Sequence, residues 1–182
     1  CKNFGLSQDT SISIEKYIKQ NGGTVYRSKV GEANVTAKMV ETRSQVGGEG
    51  SSGGFILSDF NYCRDGILTS GLIASIIKKE KFADVLNFME MYHITRDKIR
   101  YDSEQHDEIL KVLHNKMKEK FDSIDTLDGL KAMVDEDSWV LVRKSNTENA
   151  IRISVESNSL EKVRNIDQEI KDLIKESYEQ IK

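Results

Sequence analysis

Trp139-Val140-Leu141-Val142, then Arg143-Lys144-Ser145-Asn146-Thr147-Glu148-Asn149-Ala150, then Ile151-Arg152-Ile153-Ser154-Val155 reads as strand, turn, strand. Two β-branched, apolar runs bracket a polar stretch, the pattern of antiparallel strands joined by a loop. The turn carries a guanidinium, two hydroxyls and a side-chain amide. Arginine presents a planar fork of donors that fits two oxygens of a phosphate, and Ser145, Asn146 and Thr147 can donate to a third. One or two bare turn N–H groups would complete a small anion nest. The turn therefore predicts phosphate capture.

Outward from this hairpin, Leu130–Val134 predicts a preceding strand and Lys98–Tyr101 an earlier one. Helices are expected over 103–121 and from 159 to the end, the last with Val163, Ile166, Ile170, Leu173 and Ile174 along one stripe. The order β-α-β-β-β-α predicts an α+β domain, an antiparallel sheet with two helices on one face. The first half alternates differently. A short strand around 4–6 and strands at Thr24–Arg27 and Phe55–Leu57 are separated by helices over 11–20, from about Asn34, and over Ile67–Lys79. That alternation predicts an α/β domain with a mixed sheet and helices. Ser11 or Asp9 is expected to cap the first helix and Asn34 the second, and the third is apolar on most faces and expected to be central. The domains are expected to span 1–92 and 97–182.

The chain has 182 residues, 37% apolar and 31% charged, with a formal net charge of −3 and a pI near 5.7. A slightly acidic chain of this kind argues against general nucleic-acid affinity. No apolar run reaches the length of a membrane span. Cys1-Lys2-Asn3-Phe4 has neither an apolar core of a signal peptide nor an initiating Met, as expected of a piece of a longer chain. Two cysteines, Cys1 and Cys63, make no metal cluster by themselves, and a reducing cytoplasm is the expected location. His93, His106 and His114 lack partners at metal-ligand spacing and read as surface or boundary residues.

Gly47-Gly48-Glu49-Gly50-Ser51-Ser52-Gly53-Gly54 contains a literal G-x-G-x-x-G. A dinucleotide site needs that pattern to open a helix. Here it leads into the strand-like Phe55-Ile56-Leu57, which leaves a flexible linker or a ligand loop. Glu49 can accept from neighbouring sugar hydroxyls, Ser51 and Ser52 add donors, and the small neighbours let a ligand approach the backbone. Lys29-Val30-Gly31-Glu32 follows a strand and precedes a helix; Lys29 is placed to meet a phosphate or hydroxyl, or is a surface lysine. Asp65 reads as a helix cap ahead of a catalytic acid. Arg152 faces either the turn's anion or solvent.

Taken in order, these stretches resemble the C-terminal half of the α-D-phosphohexomutase family, which includes phosphomannomutase, phosphoglucomutase and phosphoglucosamine mutase. Thr24–Val35 resembles the third domain's substrate loop. Gly47–Gly54 with Phe55-Ile56-Leu57 and Asp65-Gly66-Ile67-Leu68 resembles its sugar-recognition loop and following helix. Val140–Val155 resembles the fourth domain's phosphate loop. The departures are Lys144 and Asn149 where prolines are common, a recognition loop one residue longer, which leaves Ser51 and Ser52 both open, Gly54 where some members have His, and Glu32 at a position that varies with subfamily.

The resemblance implies an isomerase that moves a phosphoryl group between O6 and O1 of a hexose through a phosphoserine and a bisphosphate intermediate. It implies that Arg143, Ser145, Asn146 and Thr147 hold the phosphate that is not reacting. Glu49, Ser51, Ser52, Lys29 and Glu32 would recognise the sugar. The phosphoserine and the aspartate loop that binds Mg²⁺ belong to the first and second domains, so no catalytic or metal-binding residue is expected in this chain. The implied partners are a hexose phosphate and the two missing domains, with no nucleic acid and no membrane. A hinge is expected at 92–97, and these residues by themselves are expected to be inactive. The alternative is a stand-alone sugar-phosphate-binding or regulatory module without catalysis.

Overall fold

The computed structural model describes residues 2–51, 54–79, 91–145 and 147–182, and divides into two units, Cys1–Met91 and Tyr92–Lys182. The first holds β1 (Asn3–Ser7), α1 (Ile12–Gln20), β2 (Thr24–Ser28), α2 (Glu32–Thr42), β3 (Val46–Gly48), β4 (Phe55–Leu57), β5 (Asn61–Asp65) and α3 (Gly66–Lys79). Its sheet runs β2-β1-β3-β4-β5. β1 pairs in parallel with both β2 and β3, while β3–β4 and β4–β5 are antiparallel. The mixed sheet with helices is the expected architecture.

Local chemistry sets these elements. Ser11 caps α1 by accepting from the Ser13 N–H at 3.1 Å. Helix α2 lies close to the sheet because Gly5 and Gly47 face each other on β1 and β3 beneath Met39. A Cβ on Gly47 would come within 2.2 Å of the Met39 sulfur, so a larger residue there would have to push the Met39 side chain aside. Met39, Val35 and Ile56 then form a buried cluster.

Three expectations for this unit change. Helix α2 begins at Glu32 with Gly31 as its N-cap; Asn34 lies inside its first turn and donates to the Val30 carbonyl at 2.9 Å. The stretch 46–48 is strand β3, and the polar Asn61–Asp65 is strand β5. Helix α3 is not central: it leaves from edge strand β5, and its residues from Ser70 to Lys78 are exposed, Ile67 at 89%. It is tied at its first turn, where Asp65 Oδ1 accepts from the Leu68 N–H (2.7 Å) and Thr69 Oγ1 from the Phe55 N–H (3.3 Å).

The second unit holds β6 (His93–Ile99), a 3₁₀ turn (Ser103–Gln105), α4 (His106–Lys118), β7 (Ile124–Asp125), β8 (Leu130–Asp135), β9 (Ser138–Lys144), β10 (Ile151–Ser157) and α5 (Leu160–Ile181). Its sheet, β6-β10-β9-β8-β7, is antiparallel throughout. Ile109, Leu113 and Met117 of α4 and Val163, Ile166, Ile170 and Ile174 of α5 pack on Val140, Val142, Ile151, Ile153 and Val155. Each such fully buried side chain contributes about 1.5–3 kcal/mol. Both helices thus cover one face, as the α+β reading requires.

Strand β6 starts at His93, five residues ahead of the expected Lys98, so 93–97 pair with β10 over Ser157–Ile153 where a hinge was expected. His106 is buried at 3% exposure, not a surface residue: its Nε2 lies 2.9 Å from the Tyr101 carbonyl as α4 starts. No helix among the described residues is long and apolar enough to cross a membrane.

Candidate functional site

The β9–β10 turn is built as the sequence suggested, with an addition from register. Arg143 on β9 stands directly opposite Arg152 on β10. Opposed residues of an antiparallel pair share a face, and here it is the face opposite to Val142 and Ile153, which point into the core. Two like charges at that spacing cost stability unless anions lie beside them. Each has one. Asp128 Oδ2 is 3.9 Å from Arg143 Nε, and Glu148 Oε1 is 2.6 Å from Arg152 Nη2.

Ser145 closes the turn: its N–H donates to the Ala150 carbonyl at 2.9 Å. Its Oγ accepts from Arg152 Nε (3.1 Å) and from the Thr147 N–H (3.5 Å). Glu148 also pairs with Lys98 Nζ at 2.5 Å, and that hydrogen bond, with the Lys98 and Arg152 charges, holds its carboxyl below the usual range. Thr147 is exposed at the tip, and Asn146 lies outside the described residues. Arg143 and Lys144 line an open cavity of about 450 Å³ with Asp107, Lys111, His114 and Asp128. The wall is set by Gly129 at φ +81°, where a Cβ would sit 2.3 Å from the Val142 carbonyl oxygen and 2.7 Å from Arg143 Cβ. Arg152 turns into the loop, where its Nε donates to Ser145 Oγ and its Nη2 to Glu148 Oε1.

In the first unit the loop after β3 sits at the C-terminal end of β1. That strand has parallel neighbours on both sides, reached by crossovers in opposite directions, which makes its end the switch point where α/β sheets bind ligands. Ser7, Asp9 and Thr10 are buried there: Ser7 Oγ donates to Asp9 Oδ1 (2.6 Å) and accepts from the Gly50 N–H (3.0 Å), and Thr10 Oγ1 donates to the Gly48 carbonyl (3.4 Å). Arg27 supports the same turn, donating to the Ser7 and Thr10 carbonyls at 2.7 and 3.1 Å. These residues anchor the loop that carries Glu49.

Glu49, from the loop after β3, and Glu32, from the first turn of α2, converge on a residue the sequence reading missed, Arg64. The Arg64 N–H and Nε donate to the two oxygens of Glu32 at 2.9 and 2.8 Å, and its Nη1 lies 3.4 Å from Glu49 Oε2. Ser51 Oγ donates to Glu49 Oε1 at 3.0 Å. Hydrogen bonds from the Arg64 backbone and then its guanidinium hold the Glu32 carboxyl below its ordinary value, and Glu32 in turn raises Arg64. Lys29 is exposed, and among the described residues its ammonium has no partner. Ser52 lies outside the described residues. Asn61-Tyr62-Cys63-Arg64-Asp65 has no apolar alternation, so the strand that carries Arg64 does not announce itself in the sequence.

Elsewhere, the acidic run 135–137 is a turn: Asp135 Oδ1 accepts from the Asp137 N–H (2.9 Å), and Asp137 accepts from Tyr92 (2.6 Å) and Asn158 (2.8 Å). Among the described residues no three His, Cys, Asp or Glu side chains gather as a metal site.

Comparison with known proteins assigns a family to both units. The family model for phosphoglucomutase/phosphomannomutase, alpha/beta/alpha domain III, matches residues 3–92, and that for the phosphoglucomutase/phosphomannomutase C-terminal domain matches 96–173. A probable phosphoglucosamine mutase of Methanopyrus kandleri is 33% identical over 179 residues, covering 97% of this chain and 39% of that protein. A phosphoglucomutase/phosphomannomutase of Thermococcus kodakarensis is 37% identical over 157 residues, 85% of this chain and 34% of its own. The crystal structure of a phosphoglucomutase/phosphomannomutase family protein from Burkholderia thailandensis shares the fold at a TM-score of 0.80 and 21% identity, over 97% of this chain and 38% of that one. The chain therefore spans between about a third and two fifths of the length of these relatives.

Proposed function

The chain belongs to the phosphoglucomutase/phosphomannomutase family, matching its third and C-terminal domains, and on that premise we propose that it is the substrate-binding half of a phosphohexose mutase. The intact protein interconverts hexose 6-phosphate and hexose 1-phosphate through a phosphoserine and a bisphosphate. These residues bind and orient; the phosphoserine and the Mg²⁺-binding aspartates are assigned to other parts of the protein. Orientation of this kind is itself a large part of catalysis, because it removes the entropy cost of aligning reactants.

The observation that carries the reading is the opposed Arg143–Arg152 pair at the mouth of an exposed turn. Each guanidinium has a carboxylate on one side, and a phosphate dianion at the turn would add a second anionic partner to both. Arg143 and Arg152 supply the charge, and Ser145, Asn146 and Thr147 supply neutral donors. In the first unit, Glu49, an acceptor only when ionised, takes hydrogen bonds from sugar hydroxyls, with Ser51 or Ser52, Lys29 and Glu32 beside it. The relatives' names divide between glucosamine, glucose and mannose phosphates. The same binding set accommodates all three until turnover ranks them.

Thermal unfolding with increasing hexose 1-phosphate tests this. Ligand that binds the native state raises stability as RT ln(1 + [L]/Kd). The expected result is a concentration-dependent rise in Tm that Arg143→Ala suppresses. An equal rise in the variant would overturn the assignment of the turn.

A further inference from the structure

Arg64 projects from edge strand β5 and meets carboxylates delivered by two other elements, Glu32 from the first turn of α2 and Glu49 from the end of β3. Its backbone N–H and Nε engage both oxygens of Glu32, which fixes the plane of the guanidinium and turns Nη1 toward Glu49. The Glu49 side chain is 10% exposed, whereas those of Arg64 and Glu32 are about a third exposed, at 31% and 32%. So the least solvated carboxylate is the one held at the end of the chain.

We propose that Arg64 is a positioning residue: the relay Glu32–Arg64–Glu49 fixes the Glu49 carboxylate and so decides which sugar hydroxyls the β3–β4 loop accepts. This rests on the reading of Glu49 as the sugar acceptor. The physical case has two parts. Without the guanidinium, two carboxylates aimed at one point repel, and the loop that carries Glu49 gives way. In addition, lysine cannot replace the fork, because one ammonium cannot hold both oxygens of Glu32 and still reach Glu49 in a fixed plane. Displacement of an orienting group by about 1 Å is enough to cost on the order of a hundredfold in kcat/KM.

The experiment uses the full-length protein with Arg64→Ala, Arg64→Lys, Glu32→Gln and Glu49→Gln, each checked for folding by circular dichroism and thermal unfolding. Turnover is measured on the best of glucose, mannose and glucosamine 1-phosphates and on its monodeoxy analogues, each lacking one ring hydroxyl. In the wild type, loss of the hydroxyl read by Glu49 raises KM. In Arg64→Ala, KM for the parent sugar rises roughly ten- to hundredfold, more than kcat falls, and the penalty for that one missing hydroxyl disappears. Arg64→Lys recovers part of the KM, and Glu32→Gln shows the same pattern in weaker form.

A merely structural arginine would lower activity without erasing the discrimination for one hydroxyl. An Arg64→Ala protein that keeps the wild-type deoxy-sugar penalty therefore overturns the relay while leaving the sugar reading intact. Glu49→Gln without effect on KM overturns the sugar reading itself, and the two failures are told apart by that variant.

Discussion

Replacing Arg143 with alanine tests the phosphate turn most directly, and the structure sets the size of the effect. The Arg143 side chain is only 13% exposed, so its charge is little screened by water. A charge-assisted hydrogen bond is worth about 1.5–3 kcal/mol, and each 1.4 kcal/mol or so is tenfold in affinity. The expected loss is about ten- to a hundredfold in affinity for hexose phosphate. The variant also leaves the Asp128 carboxylate, 17% exposed, facing the anion without its counter-charge. That pushes the loss toward the upper limit. Asp128→Asn should act in the opposite direction, freeing Arg143 and tightening binding a few-fold. In the Arg143→Ala background the same change should recover part of the lost affinity by removing the repulsion. Calorimetric titration of the full-length protein with hexose 1-phosphate, across all four members of the cycle, reads each step. Weaker binding in Asp128→Asn, or a twofold or smaller loss in Arg143→Ala, would refute the placement of the dianion on this guanidinium.

Gly129→Ala should cost about 1–3 kcal/mol from the left-handed backbone alone, and more from the contact with the Val142 carbonyl; urea unfolding measures it. Met39→Ala should destabilise by about 2–5 kcal/mol by opening a cavity beneath α2. Ile73→Lys on exposed helix α3 should instead change stability by no more than about 0.5 kcal/mol, and a large loss there would show that the helix is covered. The Glu32 carboxyl is depressed by its hydrogen bonds with Arg64, the backbone N–H foremost. A depressed carboxyl stabilises the fold above its unfolded pKa, about 4.3, and loses that contribution as pH falls through the lower folded value. The stability gap between wild type and Glu32→Gln should therefore be flat above about pH 5 and close progressively below about pH 4. A gap that widens on acidification would contradict the pairing.

Local signals were the readable ones. The caps Ser11 and Asp65 each sit where a short polar side chain precedes an apolar period, and both accept from the backbone of the helix they start. The β9–β10 hairpin was readable for the same reason, since alternation and turn chemistry lie within one stretch. Edge strand β5 was not, because Asn61, Tyr62 and Arg64 give it no apolar alternation and only pairing with β4 makes it a strand. Helix α3 misled in the other direction: its isoleucines satisfy a burial pattern that position at the sheet edge does not deliver. His106 is buried by the start of α4 folding back on Tyr101, a contact no spacing reveals.

The same division runs through the candidate sites. Acceptors and hydroxyls on loops, Glu49, Ser51, Ser145 and Thr147, stand out because loop composition is itself a chemical statement. The cations that orient them are carried by strands, where a lone arginine on the solvent-facing phase of the alternation carries no message. Arg152, left open between anion and solvent in the sequence, is set against Arg143 by register, and Arg64 gains a role only when β5 is laid beside β4 so that two distant carboxylates meet it. Fixed charge held on a rigid strand is better suited to orienting a ligand group than charge on a loop, since packing and pairing limit its motion. A search for such residues in a sequence of this kind should begin with arginines on short polar strands flanking glycine-rich or hydroxyl-rich loops.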